Sequence, residues 1–81
     1  MPFDAIELSE QVLIRGRQRV YTAEQARACI ESPDRIDKTQ GRDQRGGFIF
    51  YFRKSFEERT LQIVPEVHEN RCYAITGYWA Q

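Results

Sequence analysis

Arginines spaced four residues apart near the start of the chain are the first residues that could do chemistry. Gln11, Arg15 and Arg19 fall on one side of a helix if this segment is helical. Guanidinium groups bind phosphates through paired N–H donors, and they stabilise negative charge that develops during a reaction. The spacing therefore predicts a phosphate-binding stripe. The competing interpretation is a solvated helix face whose arginines pair with carboxylates such as Glu7 or Glu66.

Tyrosine, arginine and threonine side chains alternate along two segments of high β-propensity. Tyr51 and Arg53 lie two residues apart in one segment, and Thr76 and Tyr78 lie two apart in another, so each pair shares a strand face. A tyrosine ring can stack on a base beside an arginine that holds its phosphate, and a tyrosine hydroxyl can take part in proton transfer. The alternative is ordinary cross-strand pairing that covers the sheet.

A polar, glycine-containing segment over residues 39–47 predicts a solvent-exposed loop. Arg42 and Arg45 in this loop, together with Lys38, could contact RNA phosphates. Asp37 and Asp43 largely offset their charge, so the alternative is a plain solvated loop. The only histidine, His68, falls in a predicted hairpin turn. We expect it to be a solvated turn residue rather than a general acid or base.

Two helices are expected to carry the arginine stripe and to cover the sheet. Ser9 is a good N-cap for a helix that runs to about residue 19. Thr22 and Gln25 form a capping box that begins a second helix, and Pro33 ends it because the residue before proline resists the α conformation. The short break between the helices predicts a compact helical hairpin.

Three aromatic and β-branched runs, over residues 47–53, 60–67 and 71–79, predict an antiparallel meander, with a further short edge strand over 35–38. The chain is therefore expected to be a single α+β domain over residues 1–81, with an N-terminal helical hairpin packed on a three- to four-stranded antiparallel sheet. Pro65 lacks an N–H donor, so its strand should lie at an edge or carry a bulge. Alternation in the last strand predicts Tyr73, Ile75 and Trp79 on one face and Cys72, Thr76 and Tyr78 on the other.

Composition excludes several classes of function. The 81 residues carry 12 cations and 12 anions, so no whole-molecule field attracts nucleic acid, and no specificity for DNA is indicated. Cys29 and Cys72 are expected to be buried, reduced thiols of a cytoplasmic protein, because their spacing suggests neither a disulfide framework nor a zinc site. We expect no metal, no cofactor and no membrane segment.

The chain resembles the small bacterial domains grouped with BrnT- and RelE-like toxins. The resemblance covers about residues 8–79, and its most characteristic segments are the arginine-spaced first helix, SPDRI at the exit of the second helix, and AITGYW in the last strand. It implies helices packed on an antiparallel sheet. It also implies a metal-independent endoribonuclease in which the 2′-hydroxyl of RNA attacks the adjacent phosphate, held in check by a partner antitoxin.

The resemblance assigns roles by position. Arg15 and Arg19 match the basic residues of the first helix in the group, and Thr76 and Tyr78 match its polar closing-strand residues. Relatives commonly carry a histidine four residues before the first of these arginines. Gln11 occupies that position here, and glutamine cannot carry a proton at neutral pH. This departure predicts a slow or inactive member of the group.

The favoured hypothesis is therefore an endoribonuclease of a toxin–antitoxin system. Arg15 and Arg19 would neutralise the scissile phosphate, Arg53 would add electrostatic stabilisation, and Tyr51 or Tyr78 would stack a base or move a proton. Further RNA contacts are expected from Gln11, Arg42, Arg45 and Thr76. The expected partners are an RNA substrate, an antitoxin and a second copy of the chain. The alternative is a non-catalytic interaction or dimerisation module of the same fold, pairing through an exposed strand edge.

Overall fold

The computed structural model describes residues 3–42 and 47–80, and it confirms an α+β domain. Each element is formed by one of the sequence runs that favour it, except for a first short strand. The elements, in chain order, are β1 (Ala5–Leu8), α1 (Glu10–Arg19), α2 (Ala23–Glu31), β2 (Arg35–Arg42), β3 (Phe48–Phe56), β4 (Arg59–His68) and β5 (Arg71–Ala80).

The sheet differs from the prediction in strand number and direction. The described strands form a five-stranded mixed sheet in the order β1-β5-β4-β3-β2, in which β1 pairs parallel to β5 and the other pairs are antiparallel. Strand β1 precedes the helices, so the helical pair is not N-terminal. Its four residues are too few to give a clear alternation signal. Its position is decided by pairing with Arg71–Ala74, more than sixty residues along the chain.

Both predicted helix starts are confirmed. The Ser9 hydroxyl accepts a hydrogen bond from the Val12 amide at 3.1 Å and donates to the Ile75 carbonyl at 2.7 Å, so this cap also ties α1 to β5. The Thr22 and Gln25 capping box is present at the start of α2. Helix α2 ends at Glu31, before Pro33. Within the described residues, no helix is long and apolar enough to cross a membrane.

The two helices pack on one face of the sheet, with α1 against β5 and α2 against β3 and β4. Burial of apolar side chains between the two layers is the main stabilising contribution. Neither described helix packs on the opposite face of the sheet, which carries mostly polar residues. The core between the layers consists of Val12, Tyr21, Ala26, Cys29, Ile30, Phe52, Leu61, Ile63, Cys72 and Ala74.

A β-bulge in β5 overturns the predicted alternation of that strand. Val64 pairs with Thr76 and Pro65 pairs with Ala74, so Ile75 is an extra residue and the facing pattern shifts by one at this point. Tyr73 therefore shares the open face with Tyr78, and Trp79 lies on the helix-covered face with Cys72. The strand of Pro65 is expected to lie at an edge or to carry a bulge. Strand β4 is central, and the register shift does fall at Pro65, but the extra residue belongs to β5.

Strand β2 is longer than the predicted 35–38 strand, and it occupies one edge of the sheet. Its pairing with β3 shifts register between Lys38 and Arg42. Part of the segment predicted as a loop therefore belongs to this strand. Arg42 pairs with Phe48, whereas Arg45 lies outside the described residues.

Candidate functional site

Helix α1 reaches the edge of the sheet because Gly16 lets the chain fold back closely. A Cβ atom at residue 16 would lie 2.9 Å from the Tyr21 carbonyl oxygen, so only glycine fits without a shift. Tyr21 is tucked under the helix and is 5% exposed, and its hydroxyl donates to the Val12 carbonyl at 2.7 Å. Burial raises the pKa of Tyr21, and the neighbouring charges of Arg19 and Arg15 partly oppose the rise. The tyrosine thus stays protonated and anchors the end of α1.

Arg19 extends from the end of α1 to the outer edge of β5. Strand β1 pairs only with Arg71–Ala74, so in the described sheet the second half of β5 is paired with β4 on one side and has no strand on its outer side. Arg19 Nη1 donates to the Gly77 carbonyl at 3.0 Å, and its guanidinium carbon lies 5.8 Å from the centroid of the Tyr78 ring. In return, Trp79 Nε1 donates to the Arg19 carbonyl at 2.6 Å. These contacts fix the arginine against the strand.

Arg19, Arg59, Tyr78 and Trp79 line an open cleft of about 500 Å³, which we call the Arg19 cleft. The Arg59 guanidinium carbon lies 4.0 Å from the centroid of the Trp79 ring, a stacked arrangement in which the donors at the rim of the group remain available. Among the residues that the structure describes, neither arginine makes a salt bridge. The cleft therefore presents two positive charges beside two aromatic rings, which suits an anion that carries a planar group.

A chain of hydrogen bonds on the open face of the sheet leads to this cleft. Arg53, Gln62 and Tyr78 lie side by side on three neighbouring strands. Arg53 Nε donates to Gln62 Oε1 at 2.5 Å, and Gln62 Nε2 donates to the Tyr78 hydroxyl oxygen. Because the Tyr78 oxygen accepts this bond, its own proton is free to be donated to a ligand. Gln62 is 2% exposed, so packing holds the bridge in place.

Of the five predicted catalytic residues, Arg19 and Tyr78 line the cleft, and Arg53 is linked to Tyr78 only through Gln62. Arg15 lies one turn from Arg19 on α1, where Nη1 donates to Gln18 Oε1 at 3.3 Å. It lies close enough to Tyr21 to lower that pKa, but it does not line the cleft. Tyr51 is on the open face, opposite Asp37 of β2 and away from the cleft.

The predicted RNA-contacting residues do not converge on the cleft. Gln11 is exposed on α1, and Thr76 is half-buried on β5, opposite Val64. Arg42 belongs to β2 at the far edge of the sheet from β5.

Three site residues were missed by the sequence analysis: Arg59, Gln62 and Trp79. For Arg59 and Trp79, the predicted hairpin turn near residue 69 gave a usable signal. An antiparallel pair about that turn puts residue 59 near the end of the closing strand, next to Trp79. Gln62 had no comparable signal, because its role depends on the side chains of two neighbouring strands.

The thiols and the histidine lie apart from this chemistry. Burial raises the pKa of Cys29 to about 11 and that of Cys72 to about 12, so both are protonated at neutral pH. His68 lines a separate depression with Glu7, Glu66 and other residues at the opposite end of β5. Within residues 3–42 and 47–80, no group of three His, Cys, Asp or Glu residues could hold a metal ion.

Comparison with models of known families, with curated proteins and with solved structures finds no match to this chain. Function is therefore inferred from the geometry of the Arg19 cleft.

Proposed function

We propose that this protein binds single-stranded RNA in the Arg19 cleft and cleaves it without a metal ion, as the toxin of a toxin–antitoxin pair. The observation that supports the proposal most strongly is the pair of guanidinium groups of Arg19 and Arg59, which flank the rings of Tyr78 and Trp79 and form no salt bridge with the described carboxylates. Phosphate needs such donors, and bases stack on such rings.

Binding would place an RNA phosphate between Arg19 and Arg59. Arg19 is already oriented by its bond to the Gly77 carbonyl, so little side-chain entropy is lost when a phosphate occupies its remaining donors. The neighbouring base would stack on Tyr78. Stacking of this kind contributes about 1–3 kcal/mol per base and tolerates any base. We therefore expect weak sequence preference and affinity that falls as salt is added.

Cleavage would proceed by attack of a 2′-hydroxyl on the adjacent phosphorus. The bond from phosphorus to the 2′ oxygen forms, the bond to the 5′ oxygen breaks, and the products are a 2′,3′-cyclic phosphate and a free 5′-hydroxyl. Arg19 would stabilise the extra negative charge of the transition state, and the Tyr78 hydroxyl, held by Gln62, would donate a proton to the leaving 5′ oxygen. The cleft residues include no histidine and no carboxylate, so solvent would accept the 2′ proton. The rate should therefore be low at neutral pH and rise as hydroxide becomes available.

The test is incubation of purified protein with a labelled single-stranded RNA in the presence of a chelator. We expect a 2′,3′-cyclic product, no cleavage of the 2′-deoxy analogue, and about a hundredfold slower cleavage by Arg19→Ala. Arg59→Ala should weaken binding. Arg71→Ala is the matched control, because Arg71 lies at the other end of β5 and should leave both quantities unchanged. Equal cleavage by the wild type and both cleft variants would refute the proposal.

A second candidate function is a non-catalytic interaction module, and the absence of histidine and carboxylate from the cleft residues favours it. In that case Arg19→Ala would weaken RNA or partner binding with no cleavage by any variant. Expression of the chain in the bacterial cytoplasm, where RNA is present, separates the two functions. Without an antitoxin to cover the cleft, a nuclease slows growth, whereas a binding module leaves growth unchanged.

A further inference from the structure

The outer edge of β2 faces no other strand of the described sheet. Strand β2 spans Arg35–Arg42 and closes one side of the described sheet. At the other edge of the sheet, the second half of β5 has outward carbonyls that already accept hydrogen bonds. The Ser9 hydroxyl donates to the Ile75 carbonyl, and the Arg19 guanidinium donates to the Gly77 carbonyl. Beyond them, β1 has only four residues. Strand β2 is therefore the longer edge at which another strand could add.

Hydrogen bonds to β3 show which β2 residues direct their backbone groups outward. The Asp34 amide donates to the Arg53 carbonyl, and the Thr39 hydroxyl donates to the Ile49 carbonyl, so the carbonyls of odd-numbered β3 residues face β2. Their register partners, Arg35 and Asp37, therefore direct their own N–H and C=O groups towards β3. Ile36 and Lys38 direct theirs outward.

The charges at the start of this strand are self-complementary about Ile36. Arg35, Ile36 and Asp37 read positive, apolar, negative, so a second copy running in the opposite direction presents the opposite charge at each facing position. In an antiparallel pair of two such strands with Ile36 opposite Ile36, each Arg35 lies opposite Asp37. Opposite charges at facing positions stabilise a strand pair. The same register also makes Ile36 a hydrogen-bonded pair, as its outward backbone groups require.

Other registers compatible with the outward backbone groups are unfavourable. Sliding the two strands by two residues in one direction places Arg35 opposite Arg35, and sliding them in the other direction places Asp37 opposite Asp37. Like charges that face each other across a strand pair are destabilising. The charges of β2 therefore favour the register with Ile36 opposite Ile36 and disfavour the two registers that are shifted from it by two residues.

We infer that two copies of this chain associate through β2, with the two strands antiparallel and Ile36 on the twofold axis. The two sheets become continuous, and the helices of both copies lie on the same face. Ile36, a 41% exposed hydrophobic residue, loses contact with water against its counterpart. Arg35 and Asp37, which form a 3.0 Å salt bridge within one chain and remain 67% and 40% exposed, become a four-charge network. This interface lies at the opposite edge of the sheet from the Arg19 cleft, so it does not depend on the proposed RNA chemistry.

Sedimentation equilibrium over a range of protein concentrations tests the inference. The wild type should show a monomer–dimer equilibrium. Arg35→Glu should raise the dissociation constant by about tenfold or more, because two attractive pairs become repulsive. The double variant Arg35→Asp with Asp37→Arg is the matched control, because it reverses both charges but keeps residues 35 and 37 complementary, and it should restore dimerisation.

Ile36→Pro tests the backbone bonds separately. It removes an outward N–H that β3 does not use, so the monomer should remain folded by circular dichroism while the dimer is lost. A wild type that stays monomeric at every concentration would overturn the inference. So would a dimer that persists in both Arg35→Glu and Ile36→Pro, because it would have to use another surface.

Discussion

Replacement of Gly16 by alanine improves helix propensity but introduces a steric contact. The structure decides whether the free energy of unfolding rises or falls. Alanine is favoured over glycine inside a helix by about 1 kcal/mol, so the sequence alone predicts that Gly16→Ala stabilises the protein. In the folded chain, the new Cβ would lie 2.9 Å from the Tyr21 carbonyl oxygen and 3.1 and 3.3 Å from two carbons of its ring. The first of these distances is to a backbone atom, which cannot rotate away.

Tyr21 has little room to move. Its amide donates to the Gly16 carbonyl at 3.0 Å, its hydroxyl donates to the Val12 carbonyl at 2.7 Å, and its ring is buried. Overpacking of a rigid site costs about 1–3 kcal/mol. Set against the propensity gain, the expected result is a net loss of about 1 kcal/mol. For a domain of this size, that loss lowers the melting temperature by about 4–8 °C.

Urea unfolding followed by circular dichroism measures the free energy of unfolding for the wild type and Gly16→Ala. The matched control is the pair Arg17→Ala and Arg17→Gly at the exposed neighbouring position, where alanine should be the more stable by about 1 kcal/mol. A Gly16→Ala variant more stable than the wild type would refute the reasoning. It would mean that Tyr21 is not held where its hydrogen bonds place it.

Two further predictions concern stability. Val20 caps the end of α1 in the left-handed region, at φ 59° and ψ 51°, and its side chain is 76% exposed. Val20→Gly should remove backbone strain and raise the free energy of unfolding in urea by about 1 kcal/mol, whereas Val20→Ala should change it little. A lower free energy of unfolding in the glycine variant would contradict this. Burial raises the pKa of Cys72 from its ordinary 9.0 to about 12, so the thiol's contribution to stability is complete below about pH 9 and is lost as the pH rises towards 12. Under reducing conditions the wild type should therefore lose about 1.4 kcal/mol more than Cys72→Ala between about pH 8 and pH 10, and equal losses would show that the buried thiol does not control the pH dependence.

Much of the secondary structure could be predicted because its signals act over a few residues. The caps at Ser9 and Thr22 bond to amides three residues away, and Pro33 acts on the residue before it. The three long strands followed from their β-branched and aromatic runs. The arginine spacing also placed Arg15 and Arg19 on neighbouring turns of one helix.

Only the tertiary structure decided which of these side chains meet. The parallel partner of β1, the bulge at Ile75 and the bridge made by Gln62 each depend on residues that are distant in sequence. The bulge shifts the face of every residue on one side of it relative to the other side, which local alternation could not reveal. Arg19 binds the edge of β5 rather than a hollow beneath α1, because β1 ends early and leaves the Gly77 carbonyl without a strand partner. The position of Arg19 is therefore set by a backbone carbonyl that needs a hydrogen bond. That carbonyl is accessible only because β1, which is distant from it in sequence, is short.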